Sequence, residues 1–120
     1  MNSNAEEHFS SGVELQEQGR IEQSIVEYTK AIELDPDLVE AYNNRAGAYL
    51  EKGQHDQAIA DCNKVVELAP DLVMAYLMRG MAYTEQGKTA EAISELEQCI
   101  KLSIDPALIQ VANETLDTLR

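Results

Sequence analysis

Residues 39–59 read VEAYNNRAGAYLEKGQHDQAI and residues 73–93 read VMAYLMRGMAYTEQGKTAEAI. Set 34 positions apart, the two stretches share Val39/Val73, Ala41/Ala75, Tyr42/Tyr76, Arg45/Arg79, Ala48/Ala82, Tyr49/Tyr83, Glu51/Glu85, Gly53/Gly87, Ala58/Ala92 and Ile59/Ile93. The identity continues at Leu68/Leu102 and Asp71/Asp105. Recurrence at a fixed spacing of this length marks a stacked repeat, in which each unit buries an apolar face against the next. A more divergent unit precedes these two and keeps their punctuation, with Gly19 matching Gly53 and Gly87, Ile25 matching Ile59 and Ile93, and Pro36 matching Pro70. The units run over residues 5–38, 39–72 and 73–106, followed by a segment at 107–120.

Within each unit the apolar residues are spaced by three or four, as in Ala41, Tyr42, Ala46, Tyr49 and then Ala58, Ile59, Cys62, Val65, Val66. That spacing predicts two amphipathic helices per unit. Gly19, Gly53 and Gly87 stand where the first helix must end, in the position that favours a left-handed residue. Pro36 and Pro70 stop the second helix, because proline disfavours helical geometry in the residue before it. Asp37 and Asp71 are expected to cap the helices that follow, Asp37 with Glu40 as a capping box and Asn4 with Glu7 as another at the first helix. The third unit carries Ile104 where the others carry proline, and Pro106 follows two residues later, predicting Asp105 as cap and Pro106 as first helical residue. The last segment places Leu108, Ala112, Leu116 and Leu119 on one face and Gln110, Asn113, Glu114, Asp117 and Thr118 on others. It reads as a capping helix, the alternative being a fourth unit cut short. The expected fold class is all-α, a helical solenoid of about seven antiparallel helices.

The chain has 120 residues, no Trp, one Phe and three Pro, a composition suited to one helical domain. Its net charge of -13 would repel nucleic acid and anionic membrane surfaces, so neither is expected as a partner. The N-terminal residues show no basic, apolar leader, and no run approaches a membrane span. A cytoplasmic location is expected, with a processed chain as the alternative. Cys62 and Cys99 lie on apolar helix faces without metal-ligand spacing and read as small buried hydrophobes. His8 and His55 have no nucleophile or carboxylate placed beside them by motif, so no catalytic site, metal or cofactor is expected.

The 34-residue unit resembles the tetratricopeptide repeat. Counted from the start of each unit, position 4 is His8, Tyr42 and Tyr76, position 8 is Gly12, Ala46 and Gly80, and position 11 is Leu15, Tyr49 and Tyr83. Position 20 is Ser24, Ala58 and Ala92, position 24 is Tyr28, Cys62 and Leu96, and position 27 is Ala31, Val65 and Cys99. Small residues at positions 8 and 20 let the two helices of a hairpin cross closely. The resemblance implies a non-catalytic protein-interaction scaffold whose first helices line a concave groove, facing it with positions 2, 5, 6, 9, 12 and 13.

Carried onto this chain, the resemblance makes Phe9, Val13, Asn43, Asn44, Leu50, Met74, Leu77, Met78 and Met81 candidate groove residues. Among members that grip the terminal carboxylate of chaperone tails, a basic and Asn clamp occupies five of these places. Here only Asn44 matches, and Phe9, Val13, Met74 and Met78 stand at the others, so such tails are not expected as partners. The expected ligand is a protein or peptide segment, neutral or basic, with apolar anchors met near Met74, Leu77, Met78 and Met81. Glu6, Glu17, Glu40, Glu51 and Glu85 would favour its basic flanks. The same Met stripe could instead be covered, by the C-terminal helix or by a second copy of the chain, and a self-assembling scaffold is the alternative function.

Overall fold

A computed structural model describes residues 3–120. Among them the chain forms seven α-helices and no strand: α1 (Ser3–Glu17), α2 (Ile21–Leu34), α3 (Val39–Glu51), α4 (His55–Leu68), α5 (Val73–Glu85), α6 (Thr89–Leu102) and α7 (Pro106–Leu119). Each helix packs on the next in sequence, and α1 also touches α3 and α3 touches α5. No comparable contact joins α2 to α4 or α4 to α6. The first helix of each hairpin is therefore on the inner side of a curved stack, which measures 44 × 25 × 22 Å.

The hairpin turns follow from glycine. Gly19, Gly53 and Gly87 have φ of 77°, 74° and 74°, and their amides bond back to Gln16, Leu50 and Thr84 carbonyls. At the second turn of each unit the helices end before Pro36 and Pro70, as expected. The expected caps differ. Leu38 and Leu72 occupy the N-cap positions of α3 and α5, and neither helix has a side-chain cap. Asp37 lies one residue too early to cap α3. The Asp35 carboxylate instead accepts the Asp37 amide at 3.2 Å, and the Leu38 amide bonds the Asp35 carbonyl. Tyr42 and Tyr76 brace these corners by donating their hydroxyls to the carbonyls of Pro36 and Pro70 at 2.8 and 2.6 Å. Asn4 lies within α1, so it does not cap that helix. Asp105 does cap α7, accepting from the Ala107 amide at 2.9 Å with Pro106 at the first position.

The hairpins close over small residues. Ala46, Ala58, Ala92 and Ser24 are fully buried. A β-carbon added to Gly12 would meet the ring of the buried Tyr28 at 2.5 Å, and one added to Gly80 would meet Leu96 at 3.0 Å. Both helices of these hairpins approach as closely as their backbones allow.

An arginine ties together each of the later hairpins and links it to the one before. Arg45 grips Asp61 of its own hairpin with two hydrogen bonds of 2.8 and 2.7 Å and donates a third to Thr29 of the hairpin before it. Arg79 repeats the arrangement with Glu95 and Asn63. Burial raises the Asp61 carboxyl above its ordinary range, and the Arg45 guanidinium opposes that shift.

Candidate functional site

The inner face is assembled from α1, α3 and α5. Gly47 shows their continuity: a β-carbon there would be 3.8 Å from Gln16 Nε2 of α1 and 3.9 Å from Met78 Sδ of α5. On the same face the Tyr28 hydroxyl donates to Gln16 Oε1 at 2.6 Å, and Gln16 Nε2 donates to Glu51 Oε1 at 3.0 Å. The pKa of Tyr28 is raised, chiefly by burial and further by the charges of Glu51 and Glu17, with Asn44 opposing the shift. The Asn43 carboxamide oxygen is enclosed and has no hydrogen-bond partner among the described residues.

The nine candidate groove residues fall into two sets. Met74 and Met81 are 38% and 42% exposed, and Phe9, Val13, Asn43, Asn44 and Leu50 are half-buried. Leu77 and Met78 are buried, at 5% and 8% exposure. Leu77 packs with Leu96 and Cys99 of α6 and with Ala112 and Leu116 of α7, because α7 closes over the end of the last hairpin. Met78 sinks onto Ala46 and Cys62 and beside Gly47, where small residues leave room for it. Neither offers an open anchor point, so the expected Met74-to-Met81 stripe divides into a floor and two exposed methionines. Val111 of α7 is 43% exposed and lies beyond the three units whose first helices supply the candidate groove residues. Phe9 lies 5.9 Å from the Tyr28 ring.

Two clefts open at the ends of the first helices. The larger, about 620 Å³, lies where α3 and α5 end and is lined by Leu50, Glu51, Met81, Thr84, Glu85 and Thr115, with Lys52, Gly53 and His55 at its side. Lys52 lines this cleft while pairing with Glu22 at 2.9 Å. The smaller, about 350 Å³, lies where α1 and α3 begin, between Glu6, Phe9, Ser10, Leu38 and Glu40. His55, Thr115 and Leu38 were not among the expected site residues. They come from the start of α4, from α7 and from the turn before α3, outside the register of the first helices.

The remaining reactive groups have structural surroundings. Cys62 and Cys99 are fully buried, and burial pushes the Cys62 thiol up to about 12 and raises Cys99 as well. His8 Nδ1 donates to Glu27 Oε1 at 2.9 Å, which lowers the Glu27 pKa. Among the described residues no group of three or more His, Cys, Asp or Glu is placed to hold a metal ion, and no helix is long and apolar enough to cross a membrane.

Comparisons with known proteins agree with this architecture. A family model for the TPR repeat matches residues 12–53, and one for the tetratricopeptide repeat matches residues 37–105. No curated protein matches the chain. Among solved structures, the first TPR of Spaghetti (RPAP3) bound to the HSP90 peptide SRMEEVD is similar, with a TM-score of 0.91, 28% identity, and 99% of this chain and 92% of that one covered. The Arabidopsis OM64 TPR domain has a TM-score of 0.91 and 28% identity, covering 97% and 96% of the two chains. The second TPR domain of human RPAP3, in complex with the HSP70 peptide SGPTIEEVD, has a TM-score of 0.89 and 27% identity, covering 98% and 95%. The family model that spans more than half of the chain, and the helix hairpins it describes, place this protein in the tetratricopeptide repeat family.

Proposed function

We propose that this chain is a non-catalytic interaction module of three repeats, at residues 5–38, 39–72 and 73–106, that binds a segment of a partner protein along its inner face. The observation that carries the reading is the exposure of Met74 and Met81 on a curved surface that also presents Phe9, Val13 and Leu50. Exposed methionines next to a preformed groove suit apolar anchors of varied shape. The similar domains of RPAP3 bind peptides ending in EEVD. This chain has Phe9, Val13, Met74 and Met78 at four of the five clamp positions, and its inner positions carry glutamates without Lys or Arg. None of these inner positions supplies a cation for a terminal carboxylate, which favours an internal segment with apolar anchors as the ligand.

α7 serves as the cap of the stack. Where position 4, 8 and 11 residues of the earlier units pack their second helix, α7 presents Gln110, Glu114 and Asp117, all exposed. Those three positions offer no apolar seam to another helix.

The test is retention of partners from a cell lysate on the immobilised chain, repeated with Met74→Glu/Met81→Glu and with Val26→Glu. Val26 is 52% exposed on α2, away from the inner helices. Partners lost with the double change and kept with Val26→Glu are expected. Retention indifferent to the double change would rule out the inner face.

A further inference from the structure

The two clefts have the same chemistry. Each joins an apolar lining to two glutamates: Leu50 and Met81 with Glu51 and Glu85, and Phe9 with Glu6 and Glu40. The larger cleft also has Lys52, paired with Glu22, and His55 in its lining, and its Glu51 accepts a hydrogen bond from Gln16. These four carboxylates are exposed, and among the described residues none makes an ion pair. With 22 acidic residues against nine Lys and Arg, most acids of the chain lack a cation, and what sets these four apart is their place beside apolar residues in a cleft.

We infer that the larger cleft reads a basic residue adjacent to an apolar anchor in the ligand. The apolar side chain enters between Leu50 and Met81, and a Lys or Arg beside it meets Glu51 and Glu85. Glu51 and Glu85 are the final residues of α3 and α5, where the helix dipole is negative and adds to their own charge. A cation from the partner is therefore favoured at this rim by both charge sources. The smaller cleft, at the opposite ends of the first helices, repeats the motif around Phe9. Its glutamates lie in the first turns of α1 and α3. A ligand lying diagonally across the face would present two such apolar and basic pairs.

A second copy of the chain is a poor occupant, because two bodies of net charge -13 repel and association would place acid against acid. A basic amphipathic segment gains from the same field, mostly in its rate of association, and loses that gain as salt rises.

This inference rests on the inner face being the binding face, and the experiment separates the two. A phage-displayed library of random internal peptides is panned against the whole chain. The best peptide is then made synthetically and titrated against wild type, Met81→Glu, and Glu51→Gln/Glu85→Gln, with thermal unfolding by circular dichroism confirming each fold. Selected peptides are expected to carry Lys or Arg next to Leu, Ile or Met. The glutamine pair should weaken binding about five- to tenfold, and added salt should weaken it further. Peptides that lose binding to Met81→Glu yet ignore the glutamine pair and salt would overturn the charge reading and leave the inner face standing. Peptides indifferent to Met81→Glu, or no selection at all, would overturn both.

Discussion

At the scale of single residues, the repeat positions with the smallest side chains carry the tightest constraints. Ala58 and Ala92 are fully enclosed between the helices of their hairpins. Replacing either with Leu is expected to overpack the crossing and destabilise the chain by about 1–3 kcal/mol, read as a lower denaturant midpoint. Arg45 and Asp61 form a largely buried pair with exposures of 16% and 6%. Arg45→Met should cost about 3–5 kcal/mol, since it leaves the Asp61 carboxylate enclosed without its counter-charge. The pairing was hidden in the sequence: Arg45 and Arg79 recur plainly, but their partners lie 16 residues away on the facing helix. Glu27 has a pKa below its ordinary value of 4.5, chiefly because His8 bonds its ionised form and Lys30 adds to this. A lowered carboxylate contributes stability above its unfolded pKa and loses it as pH falls through the folded value. The destabilisation caused by Glu27→Gln, measured by urea titration, should be fully present at neutral pH and vanish in acid below the folded pKa. The raised thiols of Cys62 and Cys99 predict that a thiol-specific reagent labels neither in the native chain and both after unfolding. Labelling of native protein at the free-thiol rate would contradict this burial.

At the scale of elements, helix ends decide both stability and site. Gly53 has φ of 74° and nothing within 4 Å of an added β-carbon. Gly53→Ala therefore tests backbone conformation alone, with an expected loss of about 1–2 kcal/mol. Glu51 and Glu85 act in the other direction, since a carboxylate at a helix C-terminus opposes the dipole. Glu85→Gln should stabilise α5 and raise the unfolding midpoint by the equivalent of about 0.3–1 kcal/mol. A stabilising change that weakens ligand binding is the pattern of a residue kept for function. The helices, their order and the glycine turns were legible because periodicity and backbone constraint act over a few residues. The caps of α3 and α5 were not. Asp37 and Asp71 have the right chemistry for an N-cap, yet the corner needs Leu38 and Leu72 to begin the helices, and that register is set by how the hairpins dock.

Across the whole molecule, the inner face is one continuous surface built from helices that are far apart in sequence. Its charge and its missing clamp predict that the acidic peptide SRMEEVD shows no saturable binding in a fluorescence-polarisation titration. Saturable binding dependent on the peptide's free carboxylate would contradict an internal-segment ligand. The candidate site was legible only in part, because position within a repeat says which way a residue points but not what covers it. Met74 and Met81 stay open, whereas Leu77 and Met78 are enclosed by α7 and by the small residues Ala46 and Gly47.

The sequence by itself determined the 34-residue period, the helix hairpins, the small residues at their crossings and the family to which the chain belongs. These follow from interactions between near neighbours along the chain, which repeat whenever the residues repeat. Only the tertiary structure decided which inner residues remain exposed, where the two clefts open, and that α7 and two turns contribute to them. Those features depend on the volumes of side chains meeting between non-adjacent helices and on the angle at which hairpins stack. A repeat pattern constrains neither at the points where its units differ.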